Sequence, residues 1–327
     1  MKKITILTRR ASVKDFFAKG VRNALRFVRK FLKTGIIDFD MFIYYGHTAV
    51  TKSLIEGLRE MGAEFDFNPL SAASIGGTVL VLSDVGALKQ AIDLKKNGKI
   101  ATLLAGPNLV ELPTERDSIL SSPEIDTVIV PSKMTADIYE KLNPALIGRI
   151  AVWYAGVDTD YWSPANPPKE KEILVYWKNA PKAFCLEAEL ILKKEGYKIN
   201  RVTYGHYSKA EFRKLLRQSA CAVFLSITET QGIALAEAWA ANTPTVVWDP
   251  EIEHYYIRGV KTTSAPYLSK ECGVRWKELS ELKRLFSGKA FDPKAYSPRE
   301  WVLENMSNRI SAEMLVAISE NPNKKTI

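Results

Sequence analysis

Hydrophobic and polar positions alternate on two length scales along this chain. Short continuous apolar runs read as buried strands, and the stretches between them, with apolar residues three and four apart, read as amphipathic helices. In the first half the pattern predicts strands at Ile4–Thr8, Met41–Tyr45, Thr78–Leu82, Lys99–Leu104, Thr127–Val130 and Ile150–Tyr154, with helices near 13–33, 48–61, 86–97 and 133–142. The segment Ser-Pro-Ala-Asn-Pro-Pro-Lys after Trp162 interrupts it, because its prolines fix φ and remove backbone donors, which excludes helix and ladder alike. The pattern then restarts with strand Ile173–Trp177, helix 183–195, strand Arg201–Tyr204, helix 208–218, strand Ala222–Ser226, helix 232–241 and strand Thr245–Trp248. The C-terminal stretch reads as two helices with a proline-containing connection, Asp292–Pro298. Such alternation builds parallel sheets covered by helices. We therefore expect an α/β fold of two domains, 1–165 and 166–327, whose parallel sheets face each other across a cleft. Ligands of such sheets lie beyond the carboxyl ends of the strands.

Composition sharpens this picture in one place. At 327 residues, 46% hydrophobic and 25% charged, the chain is an ordinary globular protein with room for two cores. Its net charge of +9 is not spread evenly. Residues 1–34 hold 11 basic residues and one acid, Asp15, a balance of +10, so the remaining 35 basic and 36 acidic residues balance at −1. A nucleic-acid groove along the whole protein needs basic residues spread along it, so we expect no nucleic-acid partner. Cys185, Cys221 and Cys272 are scattered, lack metal-ligand spacing and read as reduced, intracellular thiols. The start, MKKITILTRR, has too short an uncharged run for a signal peptide, and no run approaches the length of a membrane span. The expectation is a cytoplasmic protein.

The string at 222–249, AVFLSITETQGIALAEAWAANTPTVVWD, carries the most chemistry. A buried strand ends at Ser226, a turn carries Glu229, Gly232 opens a helix that carries Glu237, Asn242 ends that helix, and Pro244 leads to the next strand. The first turn of a helix offers free N–H groups and a positive dipole end to an anion, and Gly232 has no side chain to hold a phosphate away. Glu229 can accept hydrogen bonds from ligand hydroxyls, and Glu237 can grip a vicinal diol such as a ribose.

This arrangement resembles the Glu-x7-Glu signature of family-4 retaining glycosyltransferases, which have two Rossmann-like domains in the GT-B architecture. The family pattern Ser…Glu-x-x-Gly-x-x-x-x-Glu-Ala-x-Ala-x-x-x-Pro is matched at Ser226, Glu229, Gly232, Glu237, Ala238, Ala240 and Pro244. Residues 156–164, GVDTDYWSP, look like the family's Gly-Val-Asp-Thr-x-x-Phe-x-Pro segment at the end of the first domain. Lys178 and Lys182 stand where the family places an Arg and a Lys on the donor diphosphate, with Lys for Arg and a three-residue gap. The turn at 203–207, TYGHY, matches one that lies against the nucleobase. The resemblance covers 130–327 well and 1–130 in outline. It implies Glu229, Lys178 and Lys182 as catalytic groups, and Gly232, Ile233, Glu237, Thr230, Gln231, Gly205, His206 and Tyr207 as donor contacts. From the first domain it implies Gly46 and His47, in the loop before a helix capped by Thr48, with His47 near the diphosphate or the acceptor. Asn108, after a strand end, falls on the acceptor side. Transfer would retain anomeric configuration, with the donor phosphate deprotonating the acceptor and no metal or cofactor beyond the nucleotide-diphosphate sugar itself. Asp158-Thr159-Asp160 formally matches an Asp-x-Asp metal motif but belongs to the GVDT segment, and Asp38–Asp40 reads as a turn.

In that register, residues 10–40 are an insertion. Val13, Phe16, Phe17, Val21, Leu25, Val28 and Leu32 recur at helical spacing, while Lys19, Arg22, Arg26, Arg29 and Lys33 form another face. A basic amphipathic helix over 13–33 can lie on an anionic membrane surface, or pack its apolar face on the sheet with its cations solvated. The leading function is then a glycosyltransferase moving a sugar from a nucleotide-diphosphate sugar to a glycan or lipid-linked acceptor in cell-surface polysaccharide synthesis, peripheral on the inner membrane face. The alternatives are a sugar-nucleotide epimerase or phosphorylase of the same fold, or a non-catalytic protein that binds a partner through its basic helix.

Overall fold

The structure, a computed structural model, describes residues 3–8, 46–71, 74–165, 169–255, 257–288 and 290–322. Helix 13–33, strand Met41–Tyr45 and the Asp38–Asp40 turn lie outside the described residues. Among those described, the strands pair in parallel into two sheets, as expected from runs apolar on both faces.

The first sheet contains β1 (Ile4–Leu7), β2 (Phe65–Phe67), β3 (Gly77–Ser83), β4 (Ile100–Asn108), β5 (Thr127–Val130) and β6 (Ile150–Val152), in the order β2-β1-β3-β4-β5-β6. Helices α1 (Gly46–Glu60) and α2 (Val85–Lys96) alternate with these strands, and α3 (Lys133–Leu142) follows β5. Contacts divide the chain into one unit of residues 1–130, 142–155 and 312–327, and a second of 131–141 and 156–311.

The second unit holds β7 (Lys169–Trp177), α4 (Lys182–Lys194), β8 (Lys198–Thr203), α5 (Lys209–Gln218), β9 (Ser219–Leu225), α6 (Ile233–Ala240), β10 (Thr245–Trp248), β11 (Gly273–Trp276), α7 (Leu279–Ser287) and α8 (Pro298–Asn305). The last helix, α9 (Asn308–Glu320), has residues 308–311 in this unit and 312–320 in the first. The strand order is β11-β10-β9-β7-β8. The chain therefore moves outward from β7 to β8, then returns past β7 to β9 and continues the other way. Connections leave β7 and β9 in opposite directions, which opens a crevice at their carboxyl ends.

Register makes this end of the sheet a straight edge. Thr203, Trp177, Leu225, Trp248 and Trp276 lie in one row across the five strands. The next residue on each strand, Tyr204, Lys178, Ser226, Asp249 or Lys277, therefore projects from the sheet at one level. Beneath the row, Ile173, Val175, Val223 and Val246 pack with Leu192 of α4 and with Leu282 and Phe286 of α7. Burial of this apolar surface is the main stabilising contribution to the platform.

The sequence pattern misses β2 and β11. Phe65–Phe67 is three residues long and half-buried, and β11 carries the polar Arg275, so neither forms the continuous apolar run that marks the other strands. It also ends β4 too early, at Leu104 rather than Asn108, and β6 too late, at Tyr154 rather than Val152.

Candidate active site

Lys178 and Glu229 meet at the crevice. The Lys178 N–H donates to the Leu225 carbonyl at 3.1 Å, which carries the β7–β9 ladder one residue past the strand. This directs its side chain along the sheet edge, where Nζ lies 2.7 Å from Glu229 Oε2 and 4.9 Å from the centre of the Tyr204 ring. Glu229 Oε1 lies 3.2 Å from Ser226 Oγ, within hydrogen-bond reach. The two charged side chains are 24% and 15% exposed, so the pair is partly desolvated yet open to a ligand. An ammonium has three donors, and Glu229 occupies one of them.

The turn that carries Glu229 is fastened from behind. The Glu229 N–H and Thr228 Oγ1 donate to the Thr263 carbonyl at 3.0 and 3.4 Å. Thr263 Oγ1 donates in turn to Asp249 Oδ2 at 2.6 Å, and the Ser264 N–H donates to Asp249 Oδ1 at 2.9 Å. Arg275 Nε reaches the same carboxylate at 3.1 Å, while its other nitrogens donate to the Ala265 and Leu268 carbonyls. Asp249 is buried and sits immediately after β10, on the row level with Lys178. Removing its carboxylate strands several donors at once. Asp249→Ala should destabilise the protein by about 2–4 kcal/mol, with solvent access to Arg275 favouring the lower half, as read from the urea midpoint.

Helix α6 begins at Gly232, which has φ +80° and serves as the N-cap residue. The positive φ makes glycine the fitting residue there, and a Cβ would stand 2.9 Å from Leu235 Cδ1 and push that methyl aside. Leu235 and Ala236 are the first amides to bond within the helix, both to the Gly232 carbonyl. Among the described residues the Ile233 and Ala234 N–H groups have no acceptor, so this helix end offers free donors and a positive dipole. The helix closes where expected, with Asn242 at φ +59° and its N–H on the Trp239 carbonyl.

Glu237 lies one turn into α6 and is buried. Tyr176 and Tyr207 bring their hydroxyls to 3.4 Å of each other beneath the edge. Burial pushes both phenols well above the ordinary tyrosine range, and the charges of Glu229 and Glu237 add to the rise. Gly205, at φ +79°, and His206 are exposed in the TYGHY turn.

The other expected residues are placed as follows. Thr230 is exposed and Gln231 buried in the turn before Gly232, and Ile233 is half-buried as the first residue of α6. Lys182 is exposed as the first residue of α4 and makes no ion pair or hydrogen bond among the described residues. Gly46 and His47 open α1, one residue pair earlier than the helix expected from 48, and Asn108 ends β4; all three belong to the first unit. Asp158 Oδ1 accepts from the Tyr161 N–H at 2.8 Å, the internal bond of a turn. Sequence reasoning passed over Asn179, Asp249, Thr263 and Arg275. Only Asp249 carried a local signal, a carboxylate directly after a buried strand.

Residues 186–264, which include the Glu229 turn and α6, match the model of the glycosyl transferases group 1 family. No curated protein matches the sequence. The solved structure of TarM shares 16% identity with a TM-score of 0.51 over 74% of this chain and 54% of that one. This chain thus spans about half the length of that protein. The apo lipopolysaccharide outer core galactosyltransferase WaaB is similar over 99% of this chain and 100% of its own, at 13% identity and a TM-score of 0.52. HepE of Anabaena, solved with UDP and glucose, is similar over 98% and 99% at 11% identity and a TM-score of 0.51. The chain therefore has the two-sheet α/β fold of these GT-B structures, and the segment that matches the family is the one that builds the Glu229 turn.

Proposed function

We propose that this chain is a retaining glycosyltransferase of family 4 that takes a sugar from a nucleotide-diphosphate sugar and passes it to a glycan or lipid-linked acceptor. The observation that carries the proposal is the partly desolvated Lys178–Glu229 pair beside the open N-terminus of α6, at the switch point of a parallel sheet. The family match over 186–264 and the fold shared with sugar transferases support it.

Cleaving a sugar–phosphate bond requires compensation of the negative charge that grows on the departing diphosphate, and stabilisation of an oxocarbenium-like sugar. In this reading the Lys178 ammonium and the Ile233 and Ala234 N–H groups hold the diphosphate, and Lys182 adds a second cation from α4. Glu229 orients Lys178 and accepts from sugar hydroxyls, with Thr230 and Gln231 beside it. Glu237 takes the ribose diol, and the Gly205-His206-Tyr207 turn borders the base. The donor phosphate removes the acceptor proton on the face the nucleotide leaves, so configuration is retained and no step runs through a metal. We place the enzyme in the cytoplasm, peripheral to an anionic inner membrane surface through residues 13–33, in polysaccharide synthesis. No described helix is long and apolar enough to cross a membrane.

Thermal shift with a panel of nucleotide-diphosphate sugars and nucleoside diphosphates tests the binding half. A ligand at about 100 times its Kd stabilises by about 2.7 kcal/mol, which in a chain of this size moves the melting transition by about 4 °C. A flat response across the panel contradicts the proposal.

A further inference from the structure

Asn179 follows Lys178 directly and stands at the carboxyl end of β7, yet its side chain reaches across to β9. Its Oδ1 accepts from Ser226 Oγ at 3.0 Å and from the Ile227 N–H at 2.7 Å. Those donors belong to the first two residues of the turn that leads to Glu229. Ser226 Oγ is also within reach of the Thr228 carbonyl and Glu229 Oε1, both at 3.2 Å. One amide oxygen thus gathers the start of the turn, and the hydroxyl it holds touches the carboxylate itself. The far side of the same turn is fixed by the Thr263 carbonyl. The ladder proper ends with the Lys178 N–H on Leu225, and past that bond Asn179 adds a link from the end of β7 to the backbone of this turn.

We propose that Asn179 is a positioning residue that locks the Ser226–Glu229 turn onto the end of β7 and thereby sets Glu229 against Lys178. This rests on the glycosyltransferase reading for its consequence in turnover, but not for its structural content. Two donors converge on Oδ1, which fixes the amide orientation and leaves its N–H groups pointing away from the turn. The side chain is otherwise exposed, and Ser226 Oγ keeps the Thr228 carbonyl and Glu229 Oε1 within reach, so removing it strands no buried group. Asn179→Asp keeps oxygen acceptors for both donors and changes the charge beside Lys178, whereas Asn179→Ala removes the acceptor.

Amide hydrogen exchange on the free full-length protein tests the structural content without a substrate. In Asn179→Ala, exchange at the Ile227 and Glu229 amides should rise about tenfold or more, and Asn179→Asp should return both to near wild type. Steady-state kinetics on the nucleotide sugar selected by thermal shift tests the consequence. A misplacement of order 1 Å at a reacting centre costs up to about 100-fold, so Asn179→Ala should lose about 10- to 100-fold in kcat. Asn179→Asp should restore kcat and carry its defect in KM, because an added negative charge repels a diphosphate. If the alanine variant leaves Glu229 exchange unchanged, or accelerates it with kcat intact, the proposal is overturned. If no nucleotide sugar is turned over by wild type, the glycosyltransferase reading fails by itself, and the exchange data still decide whether Asn179 holds the turn.

Discussion

Lys178→Ala should lower the rate of nucleoside diphosphate release by about 100- to 1,000-fold, the range found when one donor to a developing anion is removed from a preorganised site. Little of this is a stability effect. The Lys178–Glu229 pair remains partly solvated, at 24% and 15% exposure, and an ion pair of this kind contributes about 1 kcal/mol or less. The melting transition should hardly move, which separates lost chemistry from lost folding. Lys178→Arg keeps the cation at the end of β7 and supplies the residue type that the resemblance expects there, so it should retain most of the rate. A Lys178→Ala enzyme within about threefold of wild type would remove this ammonium from the mechanism.

Gly273→Ala should be the most damaging single substitution in the scaffold of the site. Gly273 opens β11 opposite Thr245 with φ +149°, and a Cβ placed on it would lie 1.9 Å from the Thr245 carbonyl oxygen. Both partners are backbone, so no side-chain rotation relieves the clash. Thr245 is itself fixed, with its N–H on the Cys272 carbonyl and its Oγ1 accepting from the Trp239 indole N–H at 3.0 Å. Strand β11 must therefore leave β10, and it takes Arg275 away from Asp249. We expect a loss of about 4 kcal/mol or more in urea unfolding, among the largest effects of point substitution. A variant within about 1 kcal/mol of wild type would show that β11 is not held as described.

The fold was legible where burial is two-sided. The residues of β9 and β10 are buried throughout, so apart from Ser219 and Thr245, which each open a strand, their sequences are apolar and do not read as a surface helix. Strand order was not legible, because nothing in a β-α unit says whether the next strand lies left or right of the last. Of the candidate site residues, Lys178, Glu229 and Gly232 could be placed from the sequence because they lie one, four and seven residues past the ends of β7 and β9 and are set by local chain geometry. Asn179, Thr263 and Arg275 escaped notice because their work is done across the sheet, on partners distant in sequence. Lys182 shows the reverse. The family resemblance singled it out, although its three-residue gap from Lys178 departs from the family pattern, and the helix start that holds it leaves it exposed and without an ion pair or hydrogen bond among the described residues.

Release of nucleoside diphosphate from a panel of nucleotide-diphosphate sugars, compared between wild type, Lys178→Ala and Glu237→Ala, tests the central claim most directly. At least one donor should be turned over by wild type, with both variants slowed about 100-fold or more and the transferred sugar keeping its anomeric configuration by proton NMR. No turnover of any donor, or turnover that neither substitution slows, would contradict it.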